Sequence, residues 1–331
     1  YLITTNRSLI AYDPSSGART LNQLKVPEQS VNIHTIVEGP DGRIWTGGYL
    51  AGGNSAYDPN TKKVQVYNGL DQTEGMVVQG KNIYFGIYPR SRIYKYNTDQ
   101  PWNLKNNNPK LIVEVAGQDR PYATASVEKL NRVYFGTVPN YGKLGGALVE
   151  CNVQTDEVKT FPEVVQDQSI LSLVWQKDML IGGTSVAGGI GSKPVAKEAS
   201  LFGWDAAARK KTFEIAPVPG AKSVSGLVSD QKGKVWGLAD NIVFVFDPAT
   251  RKVTARKEVF PASNIKNYLR GGFIAIQPSG LVYVAINDTL YQVDPQTLAV
   301  TKVSEKVTFL TKDKKGNLYF KRAAQLWKMS N

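Results

Sequence analysis

Residues 31–48 read VNIHTIVEGPDGRIWTGG, and the reading of this stretch decides the fold. Alternating apolar and polar residues run into a Gly-Pro-Asp-Gly turn, then out into a second short strand that ends in Trp and glycines, the pattern of a β-hairpin. The stretch recurs. DGRIWTGG at Asp41 returns as GKNIYFGI at Gly80, LNRVYFGT at Leu130, KDMLIGGT at Lys177, KGKVWGLA at Lys232, SGLVYVAI at Ser279 and KGNLYFKR at Lys315. The large residue of each copy runs from Trp45 through Tyr84, Tyr134, Ile181, Trp236 and Tyr283 to Tyr319, at an average spacing of about 46 residues.

Each copy is followed by an apolar strand and an Asp-Pro-type turn: AYDPSSGART at Ala11, AYDPNTKKVQVY at Ala56, VFDPATRKVTA at Val245 and QVDPQTLAVTK at Gln292. ECNVQTDEVKTF and GWDAAARKKTF are degenerate copies. Pro presets φ and the Asp side chain caps the turn locally. Each unit therefore holds four short antiparallel strands without an amphipathic helix, and serial repetition of such units predicts an all-β β-propeller. Eight hairpins can be counted, the first lacking its innermost strand and the last its outermost. Eight blades are favoured; the alternative is seven blades with one hairpin displaced. Residues 1–331 are read as a single propeller domain, and the start at Tyr1, inside a strand, suggests a longer polypeptide.

Composition narrows the function. The chain has 331 residues, 42% hydrophobic and 21% charged, which suits a folded protein. No apolar run approaches the roughly 20 residues of a spanning helix, so no membrane span is expected. Cys151 is the single cysteine and His34 the single histidine, which excludes an internal disulfide, a thiolate zinc cage and a His-rich metal site. No cofactor is expected. The net charge of +12 favours polyanions, but the basic residues are spread out. The densest runs, ARKK at 208–211 and KDKKG at 312–316, fall in turns. With no basic helix or RNP-like motif, nucleic acid is not an expected partner. GGIGSKP at Gly188 does not meet the Walker pattern.

Loops carry function on such scaffolds. The segments leading into the innermost strands place His34, Glu74, Arg120 with Tyr122, Ser169, Ser225 and Arg270 around one mouth of the channel. His34 can act as an acid or base near neutral pH, hydrogen-bond a ligand, or serve structurally. Asp119, Arg120 and Glu74 can equally tie blade to blade as ion pairs. The second-to-third strand loops are long and Gly-rich at Thr46, Thr137 and Gly182, and the shorter FGIYPRSRIY carries Tyr88 and Arg90. Long loops in compact domains are usually functional or disordered, and the aromatic and cationic content of these favours binding. Their Tyr49, Tyr88, Arg90, Tyr141, Lys143 and Lys193 are read, with Glu74 and Arg270, as ligand-binding.

The turns GPDGRIWTGG, QPSGLVYVA and YDPNT resemble those of bacterial propellers grouped with streptogramin lyase, over the whole chain. The resemblance implies a propeller, lyase chemistry and secretion. The streptogramin lyase design uses two histidines with a metal, and this chain has one histidine. Secreted propellers that cleave uronic-acid polysaccharides pair Tyr or His with cations, which here implies catalytic roles for His34, Tyr122 and Arg120. The reading is a secreted or cell-surface, bacterial carbohydrate-active propeller, a polysaccharide lyase on an anionic, uronate-containing glycan at the channel mouth. The alternative is a non-catalytic glycan- or protein-binding module. A small-molecule or cofactor binder ranks last. The expected location is extracellular or at the cell surface, and the expected state a monomeric module of a multidomain chain.

Overall fold

A computed structural model describes residues 2–3, 8–23, 30–50, 52–264 and 270–331. They divide into two units, Tyr1–Val31 and Asn32–Asn331. In the first, Leu2–Ile3, Ser8–Tyr12 and Arg19–Gln23 form a three-stranded antiparallel sheet, with the turn after Tyr12 held by Asp13. The second unit is a propeller. Among the described residues no α-helix occurs, only three short 3-10 turns, far below the usual third of residues in helix.

Six four-stranded sheets and one three-stranded sheet follow one another around the ring. Numbered from Ile33, the blades cover residues 33–67, 72–114, 118–162, 169–215, 224–258, 273–305 and 307–329. The innermost strand of blade 7, Val307–Lys312, packs against that of blade 1, Ile33–Glu38, and closes the circle. The ring therefore has seven blades, not the eight favoured from the hairpin count. Periodicity counts hairpins, whereas closure depends on which inner strands meet.

The repeat residues explain the packing. Trp45, Tyr84, Tyr134 and Tyr319 are among the largest fully buried side chains, and the first three belong to the apolar clusters of the core. Turns of the Asp-Pro type close the outer hairpins: the Asp58 carboxylate accepts from the Asn60 amide at 2.8 Å, and its backbone bonds Lys62 and Lys63.

Two residues beyond the large residue of each repeat lies a slot that, in blades 1 to 4, faces the inner strand of the next blade. It holds Gly47, Gly86, Gly136 and Gly183 in blades 1 to 4. A Cβ on Gly47 would stand 2.6 Å from Thr73, on Gly136 2.3 Å from Ile170, and on Gly183 2.5 Å from the Val224 carbonyl. Neighbouring blades thus approach too closely for any side chain. Blade 5 has Leu238 there, opposite Gly272. Blade 6 has Ala285, and blade 7 has Lys321. Gly183→Ala is expected to destabilise the ring by about 1–3 kcal/mol through overpacking against immobile backbone, measured as a lowered urea midpoint; an unchanged midpoint would contradict the packing described.

Candidate functional site

Antiparallel order puts the starts of the inner strands and the second-to-third strand loops on one face. Backbone bonds tie the two sets together there, as from Tyr49 N to Asn32 O, Asn140 N to Gly117 O and Val186 N to Lys222 O. Several inner strands carry a β-bulge just inside this face. The register slips between Ile33 and Thr35, Thr73 and Gly75, Pro121 and Ala123, and Thr308 and Leu310. The extra residues are His34, Glu74, Tyr122 and Phe309. A bulge re-aims a side chain. Phe309 holds it with φ 53, a conformation unfavourable for an aromatic residue.

Glu74 is the centre of the cluster. Its side chain is 0% exposed, and both carboxylate oxygens are saturated. Oε1 accepts from Arg120 Nη1 at 2.6 Å and from Gln72 Nε2 at 2.7 Å; Oε2 lies 2.9 Å from Arg270 Nη1 and 2.9 Å from His34 Nε2. Arg270 Nη2 also donates to the His34 and Glu74 carbonyls, both at 2.7 Å. The Arg270 guanidinium lies 4.4 Å from the Tyr122 ring centroid and 4.6 Å from that of Phe309. Burial alone would raise the Glu74 pKa, but the bond from His34 and the charges of Arg270 and Arg120 overcome it and hold the carboxyl at about 2.

His34 is a neutral imidazole in this setting. Burial pushes its pKa below the ordinary value, and Arg270 acts in the same direction, against the hydrogen bond to Glu74. His34 Nε2 lies 2.9 Å from Glu74 Oε2 and 3.4 Å from Gln72 Nε2; the tautomer that donates Nε2–H to the carboxylate carries its lone pair on Nδ1. Nδ1 has no partner among the described residues. The ring lies against Tyr49 and Phe309, at centroid distances of 5.4 and 5.7 Å.

His34 and Arg270 line a cleft of ≈ 300 Å³, walled also by Phe273, Asn287, Phe309 and Lys321. Asn287 Oδ1 is buried without a hydrogen-bond partner. Lys321, in the slot that is glycine in four other blades, has its ammonium 5.5 Å from the Phe309 centroid. Burial and the charge of Arg270 lower its pKa. Sequence reasoning missed Lys321; the signal was its place in KGNLYFKR, where the other copies carry Gly, Leu or Ala.

The remaining expected residues divide. Arg120 belongs to the ion cluster, as the blade-to-blade reading anticipated, and stacks on Tyr88 at 4.0 Å while donating to Tyr141 Oη at 3.1 Å. Tyr88 and Tyr141 share a bond of 3.0 Å. Asp119 makes a backbone cap instead, accepting from Arg90 N at 3.0 Å. Tyr49 and Tyr141 are exposed. The loop at 182–202 reaches this rim, with Gly142 N bonded to Ile190 O and Gly189 N to Lys143 O. Five of the expected residues lie apart from the cleft. Glu74 is sealed from any ligand. Tyr122 does not line the cleft, and burial together with the charge of Glu74 pushes its phenol up to about 12. Arg90 turns to Glu114, 3.3 Å away. Lys143 and Lys193 are exposed but do not line the cleft. Ser169 is also buried, donating to Ala187 O at 2.7 Å. The segment 265–269 before Arg270, and Ala51 of the first long loop, lie outside the described residues.

No protein-family model and no curated protein matches the sequence. Solved structures do match. A streptogramin B lyase structure aligns at a TM-score of 0.69 and 13% identity, covering 92% of this chain and 94% of that one. The virginiamycin B lyase of Staphylococcus aureus gives 0.70 and 8%, covering 93% and 98%. The WD40 propeller of Doa1 gives 0.68 and 9%, covering 92% and 94%. What is shared is the propeller fold. At such identities the likeness reaches no further than architecture.

No helix among the described residues is long and apolar enough to cross a membrane, and they contain no His/Cys/Asp/Glu cluster able to hold a metal. Cys151 is buried, and burial pushes its thiol up to about 12.

Because the folded-state pKa of Glu74 lies below its unfolded value of 4.5, the unfolded chain binds the proton more tightly. The stabilisation is complete above about pH 4.5 and is lost as pH falls towards 2, on the order of 3 kcal/mol. Chemical denaturation across pH 2–6 should show this loss. Glu74→Ala should abolish it and cost about 3–5 kcal/mol at neutral pH, because two buried guanidiniums lose their counter-charge.

Proposed function

We propose that the propeller of residues 32–331 is a carbohydrate-active enzyme of the cell surface or exterior, a lyase acting on a uronate-containing polysaccharide at the channel mouth. One observation carries this reading: His34 is clamped to buried Glu74 through Nε2, bare at Nδ1, and set on the wall of a cleft that also presents Lys321. A carboxylate that orients an imidazole leaves its other nitrogen as a general base. Arg120 and Arg270 are engaged by Glu74, so Lys321 is the cation that receives the uronate carboxylate.

The chemistry is a β-elimination. Lys321 neutralises the carboxylate, which makes the proton on C5 abstractable. His34 Nδ1 takes that proton, the electron pair forms the C4–C5 double bond, and the C4–O glycosidic bond breaks. The resulting imidazolium returns its proton to the departing oxygen.

Incubation with polygalacturonate and with alginate should yield an unsaturated uronate absorbing in the near ultraviolet. His34→Ala should slow this by about 10²-fold or more. Activity should rise with pH through a transition below 6.5, because the lowered pKa keeps His34 unprotonated above it. Lys321→Ala should weaken binding far more than Lys314→Ala, which alters an exposed turn, and the gap should shrink with salt as screening shortens to about 8 Å.

A second reading, a non-catalytic glycan- or protein-binding module, is favoured by the exposed Tyr49 and Tyr141 rim. Binding of these polymers without unsaturated product would leave that reading and remove the lyase. No binding at low salt would remove both for anionic glycans.

A further inference from the structure

The third-to-fourth strand connection of blade 2 breaks the repeat. In blades 1 and 3 to 6 the same connection takes four to six residues; in blade 2 it takes twelve, 98–109, between Arg92–Asn97 and Lys110–Glu114. Five blades show that the sheet does not need the extra length.

The insertion is rigid by construction. Asn108 Oδ1 accepts from Asn97 N at 2.9 Å, while its Nδ2 donates to the carbonyls of Asn97, Gln100 and Pro101 at 2.9–3.1 Å. Asn103 caps the 3-10 turn Leu104–Asn106. The product of this bracing is the placement of Trp102. Its ring stands 5.1 Å from both Tyr67 and Tyr96 and edge-on to Phe85 at 5.7 Å, with Nε1 donating to Asn68 O at 3.0 Å.

Between this loop and Val64–Tyr67, the outermost strand of blade 1, lies a cleft of ≈ 530 Å³, within the usual size of ligand sites. It is on the outer wall of the ring and shares no lining residue with the mouth cleft. Tyr67, Tyr96 and Trp102 line it together with the exposed residues Gln65, Asn68 and Gln100. Its one charged lining residue, Asp99, is paired with Lys81. Adjoining Arg43 is paired with Asp41.

The wall therefore combines the partly exposed Trp102, backed by the buried rings of Tyr67 and Tyr96, with primary amides and no unpaired charge. The Trp102 ring can receive the C–H face of a pyranose; the amides of Asn68 and Gln100 donate and accept, and that of Gln65, whose Oε1 already accepts from Arg43 Nη1 at 3.0 Å, donates, matching pairs of vicinal hydroxyls. A proline-rich peptide also docks against aromatic grooves, but it needs ring donors for its carbonyls. Here Trp102 Nε1 and Tyr96 Oη already donate to Asn68 O and Gln100 O. We propose that this cleft is a binding subsite for a neutral pyranoside chain, independent of the chemistry at the mouth.

The test is titration with cellohexaose and mannohexaose, followed by tryptophan fluorescence and calorimetry. At least one should bind, with an affinity unaffected by salt and by His34→Ala. Gln65→Ala and Gln100→Ala, both at exposed positions, should each weaken binding several-fold. Trp102→Ala should weaken it by about tenfold or more, as for an aromatic anchor. Should Trp102→Ala fail to fold by circular dichroism, the two glutamine variants decide. Absence of binding by both oligosaccharides, binding untouched by both glutamine changes, or capture of a proline-rich dodecapeptide in their place overturns the proposal.

Discussion

A carboxylate with no access to water can stay ionised only if its surroundings replace every lost hydration bond, and Glu74 meets that condition. Four donors converge on its two oxygens, from blades 1, 2 and 3 and from the segment entering blade 6. Coulomb attraction in a low-dielectric interior is strong, but the desolvation it must offset is of similar size. The cluster is thus less a source of net stability than a device that allows one arrangement of the mouth. Moving any one partner strands the charge of the others.

That arrangement divides labour among the cations. The two guanidiniums hold the ring together from sequence separations of 46 and 196 residues, and their stacking on Tyr88, Tyr122 and Phe309 fixes them further. The imidazole is oriented by the same carboxylate yet stays uncharged. Among the described residues, Lys321 alone presents a cationic head to the cleft without a place in the cluster. Residues that looked alike on chemical grounds therefore do different work, and burial sorts them.

The architecture was legible because a four-strand unit repeats its apolar alternation and its Asp turns. The blade number was not, because incomplete first and last copies contribute hairpins to the count whether or not they meet in the ring. His34, Glu74, Tyr122 and Arg270 could be assigned to one mouth from loop register alone. Their bulged geometry could not, since a bulge breaks the period-2 pattern from which strands are read. Nor could the sealing of Glu74, which depends on arginines far away in the chain. Lys321 was visible in principle as an exception in an otherwise small-residue slot, a comparison between copies rather than a motif within one.

The slot itself bears on how such a ring assembles. Blades of similar sequence can dock in the wrong order during folding, a characteristic failure of repeat proteins. In blades 1 to 4 the glycine slot admits a neighbour only at near-backbone contact, whereas blade 7 brings a lysine that would clash with a neighbour at that distance. The seam between blades 7 and 1 is the junction shaped to take it. The same side chain that gives the cleft its cation therefore rules out, at that slot, the near-backbone approach that follows blades 1 to 4, as Leu238 does in blade 5.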